Sequence, residues 1–119
     1  MKLLNALSLN MIDGDCNLLI RGVDRFQVPG FFHASGGLES YVGHTDIANI
    51  ISNDIAMVVP VNRNSTTINR SGAIVAQYIG PRLAVGTTAL PEGAVIKYYH
   101  VTAEHVCPDC GELDCDGCE

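Results

Sequence analysis

Every apolar run in this chain is short and ends near a turn residue, and only one of them has helical spacing. Residues 2–9, 17–23, 57–61, 73–79 and 95–101 read as strands, the first interrupted by Asn5 and Ser8. The turn-like Asp13-Gly14-Asp15 between the first two segments predicts that they pair as a hairpin, and Gly80-Pro81 and Leu90-Pro91-Glu92-Gly93 mark later turns. Residues 27–40, with Pro29-Gly30 and Gly36-Gly37, read as a loop. In residues 45–53 the period changes: Ile47, Ile50 and Ile51 recur at i, i+3, i+4, with Thr45 as N-cap and Asp46 suited to the first turn. A strand or loop fits that spacing less well. Five strands and one helix predict an α+β domain.

A length of 119 residues with 47% hydrophobic content matches one domain with a single core. No run approaches the roughly 18 consecutive apolar residues of a membrane span, so the expectation is a soluble, unprocessed, cytoplasmic protein without a membrane partner. The net charge of −6 is unevenly placed. Asp109, Glu112, Asp114, Asp116 and Glu119 lie in the last 13 residues; setting those five aside from the 13 acids leaves eight against seven bases. A nearly neutral body argues against duplex nucleic acid as a partner and permits a compact pocket with a few placed arginines.

Cys107, Cys110, Cys115 and Cys118 form two CxxC pairs in an acidic tail, residues 104–119, while Cys16 stands alone. Four thiolates in a reducing compartment suit a structural zinc site; the short spacer between the pairs equally suits a loosely ordered acidic tail. Neither reading ties the tail to catalysis.

Among residues able to carry chemistry, His44 is the best acid–base candidate. A glycine precedes it and the predicted helix follows, and a helix N-terminus attracts phosphate through free N–H groups and the macrodipole. A lone histidine is nonetheless more often structural or merely exposed. Arg63 and Arg82 lie beside turn signals where a guanidinium fork can meet phosphate oxygens, or where an arginine can simply be solvated. Asn5, Ser8 and Asn10 can hydrogen-bond a base or ribose, or cap the following turn. There is no P-loop, GxSxG, HExxH or Rossmann glycine pattern.

Four strings taken in order carry more information than any one residue. The opening Leu4-Asn5-Ala6-Leu7-Ser8-Leu9-Asn10-Met11, then Val42-Gly43-His44, Asn62-Arg63 and Gln77-Tyr78-Ile79-Gly80-Pro81-Arg82-Leu83, resemble the viral type III anti-CRISPR ring nucleases and their cellular and prophage relatives. The likeness covers about residues 1–103 and leaves out the tail. It implies a homodimer built on a mixed β-sheet of about five strands flanked by helices. It also implies that cyclic tetra-adenylate, held across the two-fold axis, is cleaved without a metal to linear di-adenylate with a 2′,3′-cyclic phosphate. By the same resemblance His44 matches the general acid, and Asn5, Ser8, Asn10, Arg63, Gln77 and Arg82 match ligand-binding positions. No cofactor is implied for catalysis. One departure stands out: relatives commonly carry Arg-Leu-x-Glu-Gly, whereas this chain has Arg82-Leu83-Ala84-Val85-Gly86. Valine cannot accept a proton, so the resemblance leaves a non-cleaving cyclic nucleotide sponge as the alternative.

Overall fold

A computed structural model describes residues 1–12 and 14–105. They form a five-stranded mixed sheet with two α-helices, an α+β architecture as the sequence predicts. The strands are β1 (Lys2–Leu4), β2 (Cys16–Val23), β3 (Glu39–Tyr41), β4 (Ala73–Ile79) and β5 (Val95–His105), in the order β2-β5-β4-β1-β3. The helices are α1 (Val28–Ala34) and α2 (Thr45–Ile55). The four tail cysteines and Asp13 lie outside the described residues. Among the described residues, no helix is long and apolar enough to cross a membrane, and no group of three His, Cys, Asp or Glu side chains is placed to hold a metal ion.

The expected hairpin between the first two segments does not form. Only Lys2–Leu4 is strand, and it runs parallel to both neighbours, β4 and β3, while β2 pairs antiparallel with β5 at the opposite edge. Leu3 and Leu4 are both buried, one on each face, as a central strand flanked by parallel partners requires. The polar interruptions that look anomalous in a strand mark where the chain leaves the sheet. Ser8 caps a 3₁₀ turn over Leu9–Met11, its Oγ accepting from the Asn10 amide at 3.3 Å. Ile68 then donates its amide to the Met11 carbonyl at 2.8 Å, fixing this turn over one sheet face.

Residues 27–40 are not one loop, since they hold α1 and β3. Pro29 sits in the first turn of α1, where its missing N–H costs nothing and its fixed φ suits a helix. Residues 57–61 in turn are no full strand: a single parallel bridge joins Val61 to Val42. The last strand runs four residues beyond its expected end, to His105.

Alternation along the strands separates two apolar clusters. On one face Leu3, Ile74, Ala76 and Tyr98 pack against Val28 and Phe32 of α1 and Ala48, Ile51 and Ile55 of α2. On the other, Leu4, Ala73, Val75, Val101 and Ala103 are covered by Ile68 and Met11. That cover is partial. Toward the far ends of β4 and β5, Leu7, Ile20, Ile79 and Val95 stay exposed on this second face, around an apolar hollow of about 250 Å³ lined by Val75, Gln77, Tyr99 and Val101.

Candidate functional site

The isoleucine spacing of α2 produces the expected element: Ala48, Ile50, Ile51 and Ile55 are buried on one side of it. The helix begins one residue earlier in its capping than Thr45 would place it. His44 is the N-cap, with extended φ −129° and ψ 123°, and its carbonyl accepts the first helical bond from the Ala48 amide at 2.9 Å. Its imidazole makes no capping bond and is exposed. The first-turn amides therefore lack a histidine cap.

Arg63 arrives beside His44 through a stapled segment. Ser40, the buried polar residue of β3, accepts the Val42 amide at 3.2 Å and donates to the Pro60 carbonyl at 2.5 Å. Asn62 donates its side-chain amide to the Ser40 carbonyl at 3.0 Å and its backbone amide to the Val42 carbonyl at 2.9 Å. These bonds lay residues 60–63 alongside the strand that leads into His44. The Arg63 Nε then donates to the Gly43 carbonyl at 3.1 Å, which fixes the stem of the side chain one residue before the histidine.

Arg82 comes from the other side, on the loop that follows β4. A Cβ on Gly80 would stand 2.5 Å from the Ala94 Cβ and 2.9 Å from the Tyr78 hydroxyl, so only glycine allows the chain to turn there. The Tyr78 hydroxyl donates to the Pro81 carbonyl at 2.7 Å. Beyond Arg82, the Thr87 amide bonds the Ala84 carbonyl at 3.1 Å, and Gly86 has φ +84°, the pattern of a type II turn. Val85 occupies the first corner of that turn and is fully exposed.

Two adjoining open depressions result. One, of about 580 Å³, is lined by His44, Asp46, Ile47, Tyr78, Arg82 and Val85 among others; the second, of about 430 Å³, by His44, Thr45, Asn49, Arg63 and Gly86 with Asp46 and Val85 again. Each falls in the range of small-molecule sites. A further hollow of about 550 Å³, lined by Arg25 and Lys97 among others, does not include His44. Taken together the two depressions carry one carboxylate, Asp46, against an imidazole and two guanidinium groups, Arg82 in the first and Arg63 in the second, so an anion is the ligand class their charge favours.

The structure thus brings together His44, Arg63 and Arg82. It does not bring the other predicted positions to them. Gln77 faces the open side of the sheet, in the apolar hollow with Leu7 and Tyr99, while Asn5, Ser8 and Asn10 line neither depression at His44. Ser8 takes the turn-capping role that its position also allowed. Glu92 lines neither depression; the carboxylate that does line both is Asp46. Sequence reading missed Tyr78 and Asn49 as lining residues. Tyr78 had a signal, an aromatic with a polar tip two residues before Gly80; Asn49, on the polar side of a helix, had none.

No family model and no curated protein matches this sequence. Among solved structures the chain is similar to B116 of Sulfolobus turreted icosahedral virus, with a TM-score of 0.68 and 23% identity, over 85% of this chain and 97% of that one. At that identity the likeness is one of fold, and the α+β domain described above is a fold also built by a viral protein.

Proposed function

We propose that this chain is a metal-independent ring nuclease that binds cyclic tetra-adenylate and cleaves it to linear di-adenylate with a 2′,3′-cyclic phosphate, thereby antagonising or regulating type III CRISPR signalling in the cytoplasm. The observation that carries the reading is the meeting of His44, Arg63 and Arg82, from three separate segments, around one pair of depressions at the start of α2. The four sequence strings and the likeness to a viral fold point the same way.

In this mechanism a ribose 2′-hydroxyl attacks the adjacent phosphorus. The new P–O2′ bond forms, the P–O5′ bond breaks, His44 as imidazolium gives its proton to the departing O5′, and the 2′-hydroxyl proton passes to water. Arg63, Arg82 and the first-turn amides of α2 stabilise the charge on the phosphorane. Orientation of the hydroxyl in line with the leaving oxygen supplies much of the acceleration.

The same reading includes a homodimer. A ring of four identical nucleotides has two-fold symmetry, which an isologous pair of chains matches, and the uncovered apolar sheet face with Leu7, Ile20, Ile79 and Val95 offers a second copy a surface to bury. The expected test is chromatography of cyclic tetra-adenylate incubated with the protein in EDTA. Linear di-adenylate species should accumulate with the wild type and fall at least a hundredfold with His44→Ala. An intact ring, or unchanged cutting by the variant, contradicts the enzyme.

A second reading is favoured by Val85, which puts a bare aliphatic side chain at the rim of the depressions in place of a carboxylate. On that reading the chain is a sponge that sequesters the ring. Tight binding without turnover over hours supports it, and multiple turnover at substoichiometric protein rules it out.

A further inference from the structure

The loop bearing Arg82 and Val85 has little core of its own, yet it is held along the whole length of α2. At the start of the helix the Asp46 carboxylate accepts the Gly86 amide at 3.2 Å; near its end the Asn53 side-chain amide donates to the Thr88 carbonyl at 2.5 Å. The two anchors are seven residues apart, two helical turns, so both project from one side of α2. Over residues 80–90, only Leu83 and Thr87 have partly buried side chains. Asp46 also lines both depressions at His44, which puts its anchoring bond at the edge of the space rather than behind it.

We infer that Asp46 is a positioning residue for the candidate site: by holding Gly86 it fixes the type II turn of residues 84–87, and through it the placement of Arg82 and Val85 over His44. The inference rests on the depressions being the ligand site, but the anchoring itself exists without ligand. The chemistry of the anchor has a second consequence. A carboxylate is the acceptor where an amide oxygen of the same length also reaches, so the bond is carried by geometry and the negative charge is an added opponent of any anionic ligand. The two roles separate on substitution. Asp46→Asn keeps an oxygen acceptor and removes the charge, whereas Asp46→Ala removes both. Asp46→Ser keeps a residue suited to a first helical turn but is one atom too short to reach Gly86.

The test is amide hydrogen exchange of the full chain without ligand, followed peptide by peptide, and paired with calorimetric binding of cyclic tetra-adenylate. Exchange over residues 84–88 should quicken roughly threefold to tenfold in Asp46→Ala and Asp46→Ser, with β4, β5 and the body of α2 unchanged, and should return to near the wild-type rate in Asp46→Asn. If the ring binds, Asp46→Ala should lose affinity while Asp46→Asn equals or exceeds the wild type. Unchanged exchange over residues 84–88 in both short variants overturns the inference, as does quickening that spreads through the core strands or that Asp46→Asn fails to reverse. A wild type that ignores the ring while the exchange pattern holds removes the nuclease and sponge readings and leaves the anchor standing.

Discussion

Beneath α1 and α2 the chain is held by side chain against side chain: Phe32, Ile51, Ile55 and Val28 close over Leu3, Ile74 and Ala76 with almost no exposed area. Around His44 hardly any side chain is buried, and the segments are placed by hydrogen bonds between side chains and backbone: Arg63 with Gly43, Asn62 with Ser40, Tyr78 with Pro81, and Asp46 accepting from Gly86. Packing is non-directional and strong in sum, whereas such bonds are directional and individually modest. The contrast means that the scaffold and the rim should answer differently to mutation: the first in stability, the second in ligand handling.

The largest expected effect is in the scaffold. Phe32→Ala empties the space between α1 and the sheet and should cost about 3–5 kcal/mol by urea denaturation. A loss below about 1 kcal/mol means the helix face is not the main core. Tyr98→Phe comes next. The hydroxyl donates to the Asp54 carboxylate at 2.6 Å, and burial together with that bond pushes the phenol well above its usual range, so it stays protonated and bonded throughout ordinary pH. Its removal should cost about 1.5 kcal/mol, because Asp54 retains only Arg25, at 3.1 Å.

A smaller, pH-dependent effect belongs to His100, which stacks on Phe31 of α1 at 5.0 Å between ring centres. Burial, and then the charge of Arg21, lower its pKa, so the folded chain takes up this proton less readily than the unfolded one. The contribution is intact above the unfolded value of about 6.5 and is lost as pH falls through it toward the lower folded value. Midpoints of urea denaturation at pH 7.5 and 5.5 should differ more for the wild type than for His100→Gln; equal differences contradict this assignment. At the rim, Arg63→Ala should change stability by less than about 0.5 kcal/mol while weakening ring binding tenfold or more. A large stability loss there erases the distinction between the two regions.

The same division explains what could be read from sequence. α2 was legible because Ile47, Ile50 and Ile51 sit on a helical period, and β4 because residues 73–79 match an apolar run ended by Gly80-Pro81. β1 was misjudged because a central parallel strand can be as short as Lys2–Leu4, and nothing local distinguishes the apolar residues that follow from more strand. Pro29-Gly30 hid α1, since a proline in a first turn and a proline in a loop look alike in sequence. Strand order was out of reach altogether: β2 pairs with β5, the strand most distant from it in the chain, and no local signal specifies a partner some 80 residues away. The position of His44 at the mouth of a helix was legible from the isoleucine spacing that follows it. The approach of Arg63 depends on the Ser40 and Asn62 staples, which connect residues twenty or more apart. Gln77 shows the limit of motif reasoning: it neighbours Tyr78 in the chain, but strand alternation sends the two to opposite faces of the sheet.

Both functional readings share one claim, that an oligoadenylate ring is held at the His44 depressions by two copies of the chain together. Calorimetric titration of His44→Ala with cyclic tetra-adenylate, a pairing in which cleavage cannot confuse the heat, addresses it most directly. The account predicts saturable binding at one ring per two chains, abolished or severely weakened by adding Arg63→Ala and Arg82→Ala. No heat of binding, or one ring per chain with affinity indifferent to both arginines, contradicts it.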